Sequence, residues 1–455
     1  MNAIYLSAAH KSSGKTIVSL GLSFAFRQQN LTVQTFKKGP DYIDPIWLSA
    51  SSGSPCYNLD FYTMAAAEIT NLYHQHSHQK DINIIEGNKG LFDGMQTTGG
   101  DANADLAKLL GVPVILVLDA TGITRGVAPL ISGYQNFDKD LEIAGVILNQ
   151  VAGARHQKKL ISAIEYYSDV PVLGAIARSE ELIITQRHLG LMPANESSKS
   201  QEFIKTAAKK IAEQVDLEAI LQVGKTAAEP SKQAKSATPN IISPPKNITI
   251  AVAKDSVFGF YYQDDIDAFA ALGVDLVYFN TLKDNKLPAA DGLFIGGGFP
   301  EMQLKSLSEN HNLLIDIKAK IKAGLPTYAE CGGLMYLSKR IENYPMVGVI
   351  DADCKINKKP IGRGYVQLAP SENHPWKNVS KHIFAHEFHY SKLENIAKNT
   401  NFAYRILRGV GVNGKSDGIL LHNLLATYSH LRNVGGNFWV EQFVNFIKEI
   451  KGKKL

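Results

Sequence analysis

The chain is short of cysteine, of net charge and of long apolar runs, and each shortage removes a class of protein. Only three cysteines, Cys56, Cys331 and Cys354, occur in 455 residues. That is too few for a disulfide framework and suits a reducing compartment. The 48 Lys+Arg exceed the 43 Asp+Glu by a formal +5. So small and scattered an excess makes no nucleic-acid footprint, and no basic run is interleaved with aromatics. The terminal KEIKGKKL reads as a solvated helix end. No stretch reaches the ~18 consecutive apolar residues that span a bilayer, and MNAIYLSAAHKSSGK lacks the regions of a signal peptide. The expectation is a cytoplasmic protein with neither a membrane nor nucleic acid as partner.

What is present is an ordinary globular composition, 45% hydrophobic and 20% charged, which excludes disordered and collagenous chains. The length suits two or three domains of ~100–200 residues. One segment breaks the pattern. Residues 224–246 are rich in Pro, Ser, Lys and Ala with few apolar residues, a composition that cannot bury enough surface to offset its ordering entropy. It reads as a linker between domains at 1–223 and 247–455. Both halves alternate short apolar runs with amphipathic stretches. Strands are predicted at Ala3–Ser7, Thr32–Phe36, Ile82–Ile85, Val112–Leu118 and Ile143–Leu148. In the second half they fall at Ile248–Ala253, Val274–Phe279, Gly292–Ile295 and Pro326–Ala329. Helical patterns such as Thr16–Gln28 and Asp264–Leu272 lie between them. Alternation with near-continuous apolar strands predicts α/β domains with parallel sheets covered on both faces. In such sheets ligands sit at the carboxyl ends of the strands.

The first strand leads into Ala9-His-Lys-Ser-Ser-Gly-Lys-Thr16 and a helix, close to the P-loop pattern with Ala9 where a glycine is expected. Phosphate binding needs backbone N–H groups, a lysine and a hydroxyl for Mg²⁺. Ser12, Ser13, Gly14, Lys15 and Thr16 meet that need, and Lys11 adds a second positive charge. Glu86 ends the strand at Ile82–Ile85, and Asp41 and Asp44 follow the second strand in FKKGPDYIDP. Such acids serve as helix caps or, beside a P-loop, as metal ligands. Lys37 and Lys38 are placed to neutralise phosphate or a carboxylate.

In the second half GLPTYAECGGLMYLSKR runs from strand to Cys331 to Gly-Gly and a helix, the pattern of a nucleophile elbow. The turn exposes the sulfur, and a helix N-terminus is expected to lower its pKa. N–H groups of Gly332, Gly297 and Gly298 are candidates for an oxyanion hole. Cys56 and Cys354 read as small buried apolar residues. Seven histidines offer a base. His386 and His389 sit three apart around Glu387 without a third metal-ligand motif, and His430 follows a strand-like run. Spacing alone does not choose among them.

These segments resemble the cobyrinic acid a,c-diamide synthase family, two-domain glutamine-dependent amidotransferases. The resemblance rests on SSGKTIVSLGL, FKKGPDYIDP, NLD at 58–60, Glu86-Gly87, GLFDG at 90–94, GVILN at 145–149 and RHLGL at 187–191. It continues through VFGFYY at 257–262, IGGGFPE, AECGGLMYL, HEFHYS and ATYSHL. It implies a P-loop NTPase-like, dethiobiotin-synthetase-like first domain and a class I glutamine amidotransferase second domain. By that resemblance Cys331 attacks the glutamine amide, His430 raises its nucleophilicity, and no third triad acid is identified. ATP is the co-substrate and Mg²⁺ the cofactor. Lys15 and Thr16 hold phosphates and metal, Glu86 and Asp41 or Asp44 lie near the metal or substrate, and Asn149 reads the adenine. Glutamine and cobyrinate are the implied substrates, the product being the a- and c-amides formed through an acyl phosphate. A homodimer is an assembly open to the chain. Two departures stand out. Ala9 requires a negative φ in place of glycine, and Asn88-Lys89 occupy positions that are usually apolar. The second leaves a sirohaem- or sirohydrochlorin-type ring as an alternative substrate. A P-loop regulatory ATPase with an inactive amidotransferase domain is the non-enzyme alternative.

Overall fold

The computed structural model describes residues 2–184, 186–187, 190–196, 199–228 and 248–453, and the chain divides into two units, Met1–Ser236 and Ala237–Leu455. Most of the expected linker lies outside the described residues. Its first two residues close the helix Leu217–Lys225, where Gly224 is buried and faces Ala3 at close range.

The first unit is built on seven strands: β1 Ala3–Ala8, β2 Val33–Lys38, β3 Tyr57–Leu59, β4 Ile82–Glu86, β5 Val114–Asp119, β6 Ile143–Val151 and β7 Val172–Ala177. Their order is β3-β2-β4-β1-β5-β6-β7, and every pairing is parallel. Fully buried Ile4, Leu6, Ile84, Ile115, Val117 and Ile147 form the core with Leu20, Leu22 and Phe26 of α1, Lys15–Gln28. Each such side chain contributes about 1.5–3 kcal/mol on leaving water. In register, Lys37 lies beside Glu86, Leu6 beside Glu86, and Asp119 beside Asn149. A parallel sheet thus delivers the P-loop, Lys37, Glu86 and Asn149 to one edge.

The second unit carries a nine-stranded sheet. From edge to edge its strands are Val274–Phe279, Ile248–Ala253, Gly292–Ile295, Thr327–Glu330, Leu424–Thr427, Ser416–Leu421, Asn401–Arg408, Gly362–Pro370 and Ile383–His389. The first five are parallel, as expected. The last four join antiparallel, which corrects the expectation of a purely parallel sheet. The reason is connection length. Ser416–Leu421 turns into Leu424–Thr427 through His422 and Asn423 alone, with His422 at φ +52°, and so short a link permits only antiparallel neighbours. Alternate side chains serve two cores. Ala251, Leu293, Ile295 and Ala329 face Leu313, Ile317 and Leu334. Ile250, Val252, Phe294 and Tyr328 face Phe269, Trp439 and Phe443. The Trp439 ring stands 4.7 Å from Tyr328 and 5.3 Å from Phe294.

Candidate active sites

In the first unit β1 ends at Ala8 and the loop reaches α1 through Gly14. Gly14 has φ +91°, and a Cβ there would lie 2.1 Å from Asn149 Nδ2, so only glycine fits. Ala9 has a negative φ, which removes the need for glycine at that position. The Ser13 hydroxyl donates to the His10 carbonyl at 2.9 Å, and Asn149 Nδ2 donates to the Ser13 carbonyl at 2.9 Å. Lys11 and Ser12 are exposed on the loop. Lys15 is buried and its Nζ donates to the Lys89 carbonyl at 2.6 Å. Burial, then the Lys37 ammonium, lowers its pKa to about 8. Lys89 itself sits at φ +55°, in a segment fixed by buried Asn103. That amide accepts from Asn88 N–H at 2.9 Å and donates to the carbonyls of Asn88 and Gly90.

Thr16 Oγ1 donates to Glu86 Oε1 at 2.9 Å. Lys37 Nζ stands 2.6 Å from both Glu86 Oε1 and Asp44 Oδ2, with all three side chains largely or wholly buried. The two carboxylates more than offset the desolvation of the Lys37 ammonium and hold its pKa above the usual value. Lys37 is therefore already bracketed by acids. Asp41 takes the helix-capping post that was one of its two readings. Its Oδ1 accepts from the N–H groups of Ile43 and Asp44 at 2.9 and 3.0 Å, capping the helix Ile43–Ser52. Burial, then Asp44, raises its pKa to about 7. Oδ1 is thereby engaged by backbone N–H groups. Thr16 and Glu86 do fit Mg²⁺. Both offer oxygen, and Glu86 Oε2 is buried with no hydrogen-bond partner. Among the described residues no group of three or more His, Cys, Asp or Glu side chains converges.

In the second unit the strand Thr327–Glu330 ends at Cys331, which has φ +47° and ψ −100° and starts the helix Gly332–Leu337. This is the strained turn of a nucleophile elbow. Cys331 N–H donates to the Thr427 carbonyl at 2.7 Å on the neighbouring strand, and His430 follows three residues later. A Cβ on Gly332 would stand 2.9 Å from Gly298 N, and one on Gly297 would stand 2.5 Å from His430 Cε1. The three oxyanion candidates, the cysteine turn and His430 therefore converge. Against expectation the short helix does not make Cys331 acidic. Burial, then the Glu301 and Glu330 carboxylates, pushes the thiol pKa up, so the proton needs a base.

Sequence reasoning missed Glu330. It is 2% exposed, and its Oε2 lies 3.3 Å from His430 Nδ1. It sits immediately before Cys331, but its partner is 100 positions away, and no local pattern joins the two. The Nδ1 atoms of His386 and His389 are both engaged within the fold. His386 Nδ1 meets the Tyr262 hydroxyl at 3.1 Å and its ring stacks 4.9 Å from His430. His389 Nδ1 meets the Ser391 carbonyl at 2.8 Å. Cys56 and Cys354 are buried and unpaired, and burial pushes the Cys354 thiol up to about 12.

Residues 249–438 match a CobB/CobQ-like glutamine amidotransferase domain, and residues 8–190 match a CobQ/CobB/MinD/ParA nucleotide binding domain. The chain is 41% identical over 453 residues to the cobyrinate a,c-diamide synthase of Magnetococcus marinus, covering 98% of this chain and 97% of the relative. It is 36% identical over 483 residues to that of Methanosarcina barkeri, covering 99% and 97%. To that of Dehalococcoides mccartyi strain CBDB1 it is 36% identical over 439 residues, covering 94% of each. The chain belongs to the cobyrinate a,c-diamide synthase family. Membership makes it an amidating ligase and removes the reading of a regulatory ATPase with an inactive second domain. The family's nucleotide-binding match contains the loop at Ala9–Thr16, Lys37, Glu86 and Asn149, and its amidotransferase match contains Glu330, Cys331 and His430. The structure adds a task for Asn149 that the sequence did not suggest, the support of Ser13 and Gly14 from beneath. Among the described residues no helix is long and apolar enough to cross a membrane.

Proposed function

We propose that the chain amidates the a- and c-acetate carboxylates of cobyrinate, using ATP and ammonia released from glutamine, through an acyl phosphate. The observation that carries the reading is the pairing, in one chain similar end to end to cobyrinate a,c-diamide synthases, of a P-loop backed by Glu86 with a Cys331–His430 elbow.

In the amidotransferase unit His430 takes the Cys331 thiol proton, and the sulfur bonds to the amide carbon of glutamine. N–H groups at Gly297, Gly298 and Gly332 receive the oxyanion. His430 returns the proton to the leaving nitrogen, so ammonia departs and a thioester remains. Water then bonds to the thioester carbon, glutamate leaves and the thiol is restored. In the nucleotide-binding unit Lys15 turns from the Lys89 carbonyl to the ATP phosphates, with loop N–H groups beside it. When bound at Thr16 and Glu86, Mg²⁺ supplies neutralisation of the phosphate charge. An acetate oxygen of the macrocycle bonds to the γ-phosphorus as the bond to ADP breaks. Ammonia bonds to the acyl carbon and phosphate leaves. Lys37, flanked by Asp44 and Glu86, keeps the acidic floor of this site near neutrality for an anionic substrate.

Asn88 and Lys89 favour the alternative of a sirohaem-type ring. Their backbones are engaged with Asn103 and Lys15, contacts that any residue at these positions could make, and the relatives' names support the corrinoid. Incubation with ATP, glutamine and either cobyrinate or sirohaem, read by mass spectrometry, tests the reading. Mono- and diamide of cobyrinate are expected. Amides of sirohaem alone would overturn it.

A further inference from the structure

We propose that Glu330 is a positioning residue of the glutaminase, the carboxylate that orients His430 and stabilises its protonated form. The inference rests on the reading that Cys331 and His430 hydrolyse glutamine. Three features support it independently. First, Glu330 Oε1 is occupied by two donors, the Tyr328 hydroxyl at 2.6 Å and the Leu431 N–H at 2.9 Å. The remaining oxygen is thereby aimed at His430 Nδ1, 3.3 Å away. Second, the Leu431 contact ties the carboxylate to the residue after the base, and the Cys331 N–H to Thr427 bond ties the nucleophile to the same neighbouring strand. Acid, nucleophile and base are thus fixed by one ladder. Third, the other groups around His430 do not take this role. Arg432, two residues on, is drawn away into an ion pair with Asp264 at 2.6 Å and lies over the Tyr262 ring. His386, stacked on His430, is kept neutral by burial and then by His430 and Arg432. Glu301 acts on the Cys331 side.

The chemistry follows from the geometry. Nδ1–H donated to Glu330 leaves Nε2 as the acceptor for the Cys331 proton, the tautomer that a cysteine nucleophile needs. The negative charge of Glu330 disfavours a bare thiolate and favours the imidazolium, so proton transfer is tied to attack on glutamine.

The test uses the full chain with ATP, cobyrinate and either glutamine or ammonium. Glu330→Gln keeps the shape and removes the charge. Its kcat for glutamine hydrolysis should fall by at least about 100-fold with KM changed less than about threefold. The acid limb of the kcat/KM profile should move to lower pH, because an imidazolium without its carboxylate loses its proton sooner. Ammonium-dependent amidation should stay at the wild-type rate, and Glu330→Asp should restore part of the loss. A wild-type glutaminase rate overturns the proposal, and so does a loss with an unshifted profile, which marks a purely structural role. If Glu330→Gln does not fold, Tyr328→Phe carries the test by removing one of the two donors that hold Oε1. A fall of about fivefold in glutaminase kcat is then expected, and an unchanged rate overturns the proposal. Cys331→Ala run in parallel separates the two levels. If that variant still hydrolyses glutamine, the underlying assignment of the nucleophile fails, whatever Glu330 does.

Discussion

Replacing Gly297 by alanine tests the glutaminase geometry with a single methyl group. Gly297 has no positive φ, so alanine imposes no backbone strain there and the effect comes from the space the Cβ fills. That Cβ would lie 2.5 Å from His430 Cε1 and 3.2 Å from Phe260 Cβ. Carbon atoms settle about 3.5–4.0 Å apart, so the imidazole must retreat by about 1 Å. Retreat is resisted by the ring of His386, stacked 4.9 Å away, and by Glu330 on Nδ1. A 1 Å misplacement of a catalytic group costs about 100-fold in rate, which is about 2.7 kcal/mol of barrier. The assay is glutamate release from glutamine at saturating glutamine, with ammonium-dependent amidation and the thermal midpoint as controls. A drop of about 100-fold in the first, with both controls intact, is expected. A wild-type kcat for glutamine would refute the idea that Gly297 is small because His430 passes against it.

Other outcomes follow from the same geometry. Cys331→Ala should abolish glutamine-dependent amidation while ammonium still supports it, as measured by product mass. Glu86→Ala removes one of the two carboxylates that pair with the buried Lys37 ammonium. It should lower unfolding free energy by about 3 kcal/mol in a urea titration and abolish amidation with either nitrogen source. The pH dependence of ATP binding should report Lys15. Its pKa in the free protein is lowered to about 8 by burial and then Lys37, and only the ammonium form is attracted by phosphate. Below that pH the lysine is already charged and affinity is flat. Above it the proton must be restored on binding, at about 1.4 kcal/mol per pH unit. The dissociation constant should therefore rise about tenfold between pH 7 and 9 in calorimetry, and a flat profile would contradict the assignment.

Much of the nucleotide-binding unit was legible because buried parallel strands are continuous apolar runs, and five of its seven strands stand close to where those runs fall. The two that escaped notice have physical reasons. Tyr57–Leu59 is three residues long with Asn58 in its middle, and Val172–Ala177 is interrupted by Gly174. In the second unit Asn401–Arg408 exposes Asn401, Arg405, Leu407 and Arg408 on one side. Such half-exposed antiparallel strands lack the run that marks a buried one. Candidate site residues at or just past a strand end, Glu86 and Cys331, and Lys15 at the helix start after the first strand's loop, could be placed in the fold for the same topological reason. Asp41 could not be given one post from the sequence because a helix cap and a metal ligand ask for the same residue in the same kind of loop. The Cys331 pKa was misjudged because a strand–turn–helix pattern carries no information on how deeply the sulfur is buried.

Cys331 and Glu330 lie at the end of one strand, and His430 lies just past the end of the next, with Glu330 opposite Thr427 in parallel register. Alignment of the proposed nucleophile and base therefore follows from a backbone ladder. The glutaminase centre should accordingly tolerate lengthening of distant surface loops. It should be intolerant of anything that slides Leu424–Thr427 by one residue, since such a slip reverses every side chain on that strand. Directed changes of specificity have the most freedom in the loops that rim this edge of the sheet, and the least in the two strands beneath it.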